Sequence, residues 1–161
     1  MEDKNRKIIV DELVSLINKG NAHAAFEDTV ENVSLDLLNK MPDGLPYSVW
    51  QMTEHIRITQ WDIVEFCIDA NHKSPKWPEE YWPEKEEIKI TEEQWQNSLK
   101  QIAADRKRFI DLLNDPATDL YTPFSHGSGQ NLLREALLIA DHTSYHTGQI
   151  IVIRRLLNDW E

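Results

Sequence analysis

A chain of 161 residues, 40% of them hydrophobic and six of those Trp, is long enough to bury an apolar core without disulfides or other staples. Its formal net charge of −11 excludes phosphate-backbone binding unless a local basic patch exists, and the densest cationic stretch, Arg106-Lys107-Arg108, is too short to make one. The same charge repels anionic membrane surfaces.

One cysteine, Cys67, leaves no partner for an internal disulfide. It sits in the apolar run Ile63-Val64-Glu65-Phe66-Cys67-Ile68 with no cation beside it, so it reads as a small buried hydrophobe rather than a reactive thiol. The N-terminus opens charged, Met1-Glu2-Asp3-Lys4-Asn5-Arg6-Lys7, with no apolar signal segment behind it. No run reaches the length of a membrane helix. The expectation is one cytoplasmic domain over residues 1–161, with neither nucleic acid nor membrane as partner.

Helical periodicity dominates and strand-like alternation is scarce. The first predicted segment runs from about Arg6 to about Asn39. Ala22, Ala25, Phe26, Thr29, Val33 and Leu37 share one face of its second half, and Gly20 is placed to kink or interrupt it. Met41-Pro42-Asp43-Gly44-Leu45-Pro46 ends it. A second helix starts near Ser48, a good N-cap, and runs to about Ile68 with an apolar stripe of Met52, Ile56, Ile63, Phe66 and Cys67. From about Asp69 to Ile90 the chain is irregular, with Pro75, Pro78 and Pro83 interleaved with Trp77, Tyr81 and Trp82. A loop of this length is usually functional or disordered, and its aromatics argue that it packs on the body. The third helix opens with the capping box Thr91-Glu92-Glu93-Gln94 and ends near Asn114, before Asp115-Pro116. The fourth runs from about Gln130 to about Asn158. The fold expected is all-α: a four-helix bundle with a long aromatic, proline-rich loop between its second and third helices.

The fourth helix carries an anomaly. On a wheel of roughly 100° per residue, Leu132, Leu138, Ile139, Ile150, Ile153, Leu156 and Leu157 define an apolar stripe. His142 and His146 fall in the middle of it, and Glu135 and Gln149 share it. Residues i and i+4 stand above one another on one face, so two imidazoles placed this way can reach one ion. Burying each one unsatisfied costs roughly 1–3 kcal/mol, so each needs its own neighbour or the two need a shared metal. Spacing alone leaves both solutions open. Thr143 stands where an H-E-x-x-H zinc protease has Glu, so that class is disfavoured.

His55 lies at the border of the second helix's stripe and supplies a third imidazole. Three protein ligands with open positions is the arrangement of a catalytic metal site. No Glu stands three residues before His55, His142 or His146, so a di-iron carboxylate site fails. Asp62, seven residues after His55 and on its side, is a candidate base or a carboxylate orienting a ligand imidazole. His23 borders the first segment's apolar face and is a weaker candidate for the same pocket. His72 and His126 fall in loops and read as solvated, with a substrate role as the alternative for His126.

The segments YSVWQMTEHIRITQWDIVEF, SPKWPEEYWP and LLREALLIADHTSYHTGQIIVIRRLL resemble the DinB-like superfamily, a family distinct from the DNA polymerase that shares its name. The resemblance runs from about Gly20 to the end and is most specific in H-T-S-Y-H-T-G-Q. It implies a four-helix bundle, commonly a homodimer. It also implies a divalent ion, Ni²⁺ or Zn²⁺, held by His55, His142 and His146. Related enzymes are bacillithiol-type S-transferases and a mycothiol-dependent isomerase, in which the metal holds a low-molecular-weight thiol as thiolate. The function implied is therefore metal-dependent S-transfer to a small electrophilic substrate, with Arg57 and Arg134 as candidates to bind the cofactor's acidic groups. Two alternatives stay open. One is hydrolysis by metal-bound water with Asp62 or Glu135 as base, and the other is a non-catalytic, metal-stabilised binding module.

Overall fold

The structure, a computed structural model, describes residues 2–83 and 89–160. Residues 84–88 of the expected 69–90 loop lie outside the described residues. Among those described, all regular structure is helical. The elements are α1 (Glu2–Lys19), α2 (Phe26–Val30), α3 (Val49–Ile68), α4 (Glu92–Asn114) and α5 (Leu132–Leu156), with short 3₁₀ turns at Leu35–Leu37 and Glu79–Tyr81. None of these helices is long and apolar enough to cross a membrane.

Caps set the starts of the three longest helices. Ser48 accepts from the Gln51 amide at 3.2 Å while the Gln51 side chain accepts from the Ser48 amide at 3.0 Å. Thr91 and Gln94 repeat the exchange at 3.2 and 2.9 Å. Asn131 accepts from the Arg134 amide at 2.9 Å, which starts α5 two residues after the position expected.

The first predicted segment is not one helix. Gly20 and Asn21 adopt left-handed φ values of 62° and 46° and end α1, and Asn32 at 54° follows the five-residue α2. Each left-handed residue breaks the helical ladder, and Gly and Asn are the residues that tolerate it. Phe26, Thr29 and Val33 still face inward, but Ala22 is exposed.

α3 packs against both α4 and α5, and α1 packs against α5 and α4. α3 and α5 run antiparallel, since His55 meets His142 at one level and Cys67 lies beside Glu135 at another. The core divides into two apolar clusters. One joins Val10, Leu13 and Ile17 of α1 to Ile63, Phe109, Leu113, Leu132 and Ile139. The other joins Phe26 and Val30 to Met52, Ile56, Trp95, Ile102, Ile150 and Ile153. On α5 the first cluster ends at Ala140 and the second begins at Ile150, so His142 and His146 occupy the junction. Leu156, assigned to the apolar stripe, is exposed instead because it falls beyond the end of the packed surface.

Gly20 carries the turn that brings the chain back over α5. A Cβ there would stand 2.7 Å from the His23 ring, and φ is already in the glycine region. Gly20→Ala should lower unfolding stability by about 1 kcal/mol or more, and Gly20→Asn by less, since Asn accepts left-handed φ. Urea denaturation of the two variants against wild type checks the order.

Candidate metal centre

His55 comes from the first half of α3, and His142 and His146 from consecutive turns of α5. Each residue offers a ligand nitrogen, and the three nitrogens lie within 4.8 Å of one another. His55 and His146 are buried and His142 is half-buried. The His55 ring centroid lies 4.9 Å from that of His142 and 4.7 Å from that of His146.

Two of the rings are oriented through their other nitrogen. His55 Nδ1 lies 2.8 Å from the Tyr81 carbonyl oxygen. A carbonyl only accepts, so Nδ1 carries the proton and Nε2 presents its lone pair. His146 Nδ1 donates in the same way to Gln149 Oε1 at 2.6 Å, leaving its Nε2 for the site. His142 Nε2 approaches His55 Nε2 at 3.1 Å. Two imine nitrogens at that distance either share a proton or present both lone pairs to a cation.

Electrostatics favours the neutral, ligand-competent forms. Burial lowers the pKa of all three imidazoles. For His142 burial comes first and repulsion from His146 and His55 adds to it, which brings its pKa down to about 3. Three neutral nitrogen donors, two of them oriented by hydrogen bonds to acceptors, are a donor set suited to a borderline divalent ion. The set can hold one.

The irregular segment after α3 closes over this site. Trp82 stacks on His55 with centroids 4.0 Å apart and planes 2° from parallel, and Tyr47 stacks behind Trp82 at 5.2 Å. Trp77, by contrast, stays exposed.

With this geometry in place, the sequence comparison is decisive for family. The model of the DinB superfamily matches residues 21–150, most of the chain. This chain belongs to the DinB superfamily. No curated protein and no solved structure matches it.

Within this superfamily member, the remaining sequence candidates fall elsewhere. Asp62 does not face the imidazole cluster as a free base. Its Oδ2 accepts from the Tyr81 hydroxyl at 2.6 Å and its Oδ1 from His72 Nε2 at 2.7 Å. His72, expected to be solvated, is therefore packed against Asp62, with its ring edge-on to Trp61 at 5.3 Å. Glu135 is buried and paired with Arg134. Arg57 makes a two-point pair with Glu54 at 2.9 and 2.8 Å and lines an open groove of about 840 Å³ with Trp61, Lys73 and Lys76. Arg134 lines a different groove, between α1 and α5, with Leu16, Leu137 and Ser144. Neither groove includes a histidine of the cluster. His23 accepts from the Ser144 hydroxyl at 2.8 Å, and His126 donates to the Phe66 carbonyl at 2.9 Å.

Sequence reasoning missed three contributors: the Tyr81 carbonyl, the Trp82 ring and the orienting role of Gln149. Only the last left a local signal, since Gln149 stands three residues after His146 and so one turn along the same face.

Cys67 is buried, and burial together with the nearby Glu135 carboxylate pushes its thiol pKa up, so the thiolate is disfavoured. A disulfide reagent should leave Cys67 of the native protein unmodified over minutes and titrate one thiol at once in denaturant. Rapid modification of the native protein would show that the thiol is accessible after all.

Proposed function

We propose that this chain is a divalent-metal-dependent enzyme holding Ni²⁺ or Zn²⁺ through His55, His142 and His146. It transfers a low-molecular-weight thiol of the bacillithiol type to a small electrophilic substrate. The reading takes residues 1–161 as one domain, a four-helix bundle, acting as a homodimer. The observation that carries it is the convergence of three neutral imidazole nitrogens from α3 and α5, two of the rings oriented by hydrogen bonds to carbonyl oxygens.

A divalent ion at this position supplies the Lewis acidity that keeps a thiol deprotonated near neutral pH. The chain's own residues do the rest. The three imidazoles bind and leave coordination positions open. Tyr81 and Gln149 hold the tautomers of His55 and His146. Trp82, backed by Tyr47, covers one face of the His55 ring and keeps water from that side.

Thiol transfer is favoured over hydrolysis by what the carboxylates do. Water activation needs a base within hydrogen-bond reach. Both oxygens of Asp62 are engaged by Tyr81 and His72, and Glu135 is paired with Arg134. A thiol is a much stronger acid than water, so at a divalent ion it would lose its proton to solvent near neutral pH without such a base. The dimer part of the reading is supported by Tyr145, Val152 and Leu156, exposed apolar side chains that share one face of α5.

Protein purified without a histidine tag should carry about one divalent ion per chain, and His142→Ala or His146→Ala should lose it. Elemental analysis reads this directly, and unchanged content in both variants would sink the metal assignment. Metal-loaded protein is then given monochlorobimane with bacillithiol, glutathione or coenzyme A in turn. Acceleration with one thiol, abolished by His142→Ala, supports transfer. Metal uptake without acceleration by any thiol returns the protein to the hydrolytic or non-catalytic readings.

A further inference from the structure

His55 is held from outside its own helix. On α3 nothing local fixes which ring nitrogen is protonated or which way the ring faces. Both are set by a segment 26 residues further along, where the Tyr81 carbonyl takes the Nδ1 proton and Trp82 lies flat on the ring. The question is what holds that segment. Its own regular structure is one 3₁₀ turn, Glu79–Tyr81, and Trp77 at its outer edge is 70% exposed. The anchor is Asp62. This buried carboxylate spends one oxygen on the Tyr81 hydroxyl and the other on His72, so it grips the segment at both ends.

We propose that Asp62 and Tyr81 form a positioning relay for His55: Asp62 fixes Tyr81 through its hydroxyl, and Tyr81 fixes His55 through its carbonyl. The inference rests on the metal reading above. Asp62 and His55 both belong to α3, seven residues apart, so the helix itself sets the separation between anchor and ligand at roughly 10 Å. The segment spans two turns of that helix like a clasp. A carboxylate that merely stapled a loop would hold any residue of it. Here the stapled residue is the one whose carbonyl sets the tautomer of a ring nitrogen in the cluster. Neither Asp62 nor Tyr81 touches the place where substrate would react, so both are positioning residues. Coupling is reciprocal: a metal that demands the Nε2 lone pair of His55 also favours the clasped segment.

Tyr81→Phe removes one hydroxyl and leaves the carbonyl in the chain, and Asp62→Asn removes the anchor's charge. Two measurements are made on full-length protein. The first is the ¹⁵N imidazole spectrum of metal-free protein, which reads the tautomer of His55. The second is Co²⁺ binding by chelator competition together with the visible Co²⁺ spectrum. Wild type should show His55 with its proton on Nδ1. Tyr81→Phe should move it toward a mixture, alter the Co²⁺ bands and weaken Co²⁺ by about tenfold, at the lower end of what loss of a ligand-orienting partner costs. Asp62→Asn should act in the same direction, and the double variant should be no weaker than the worse single one, because the two residues act in series. If Asp62→Asn does not fold, Tyr81→Phe decides alone. Variants that melt earlier yet keep the wild-type His55 tautomer, Co²⁺ spectrum and affinity overturn the relay and leave a structural staple. Wild type that takes up no Co²⁺, or takes it up equally after His142→Ala, overturns the metal reading and the relay's ligand role with it.

Discussion

Three imidazoles in the interior of a helical protein create a demand that the rest of the molecule answers. Each ring has two nitrogens, and a buried nitrogen left without a partner costs roughly 1–3 kcal/mol. Tyr81 satisfies one nitrogen of His55 and Gln149 one of His146. One nitrogen of each ring is then offered to the cluster, the three within 4.8 Å of one another and His142 Nε2 3.1 Å from His55 Nε2. One proton can serve two such nitrogens but not three. A single cation serves all three, and burial favours the neutral rings by lowering each pKa.

The same demand accounts for features that a plain apolar bundle would not need. The core is interrupted at the level of His142 and His146, between Ala140 and Ile150. The polar interruption requires a lid, because a half-buried imidazole layer open to water would gain little from its own desolvation. Trp82 and Tyr47 provide that cover as a stacked pair, and Asp62 holds the cover's base. An acid buried on α3 is costly alone. With two donors and a structural task it becomes tolerable.

How much was legible follows from how local each signal is. The starts of α3 and α4 could be read because Ser48 with Gln51, and Thr91 with Gln94, write the cap within four residues. The pair His142 and His146 could be read because i and i+4 share a helix face. The first segment could not. Its apolar spacing continues through Phe26, Thr29 and Val33, but Asn21 and Asn32 take left-handed backbone that periodicity does not register. The linkage of Asp62, His72 and Tyr81 could not be read for a different reason. None of the three carries a local mark of the others, and only the fold brings together partners 10 and 19 residues apart. The superfamily match covers the histidine-bearing parts of α3 and α5, which are also the parts with the most local signal.

The chain carries a net −11, yet the cluster is made of three neutral rings, and the buried acids of α3 on either side of His55 are engaged by other groups, Glu54 by Arg57 and Ser98 and Asp62 by Tyr81 and His72. A divalent ion held by neutral nitrogens keeps its full charge, unlike one held by carboxylates, which cancel part of it. Such a site draws in an anionic co-ligand and lowers the pKa of whatever acidic group approaches. A thiol meets both conditions, since it becomes an anion on arrival and its sulfur suits a borderline metal. Moving Asp62 from the lid to the metal would satisfy the ion's charge from within and weaken that pull. The clasp proposed to position His55 therefore also keeps the Asp62 carboxylate occupied, and the reactivity proposed for the site depends on both effects of the same two hydrogen bonds.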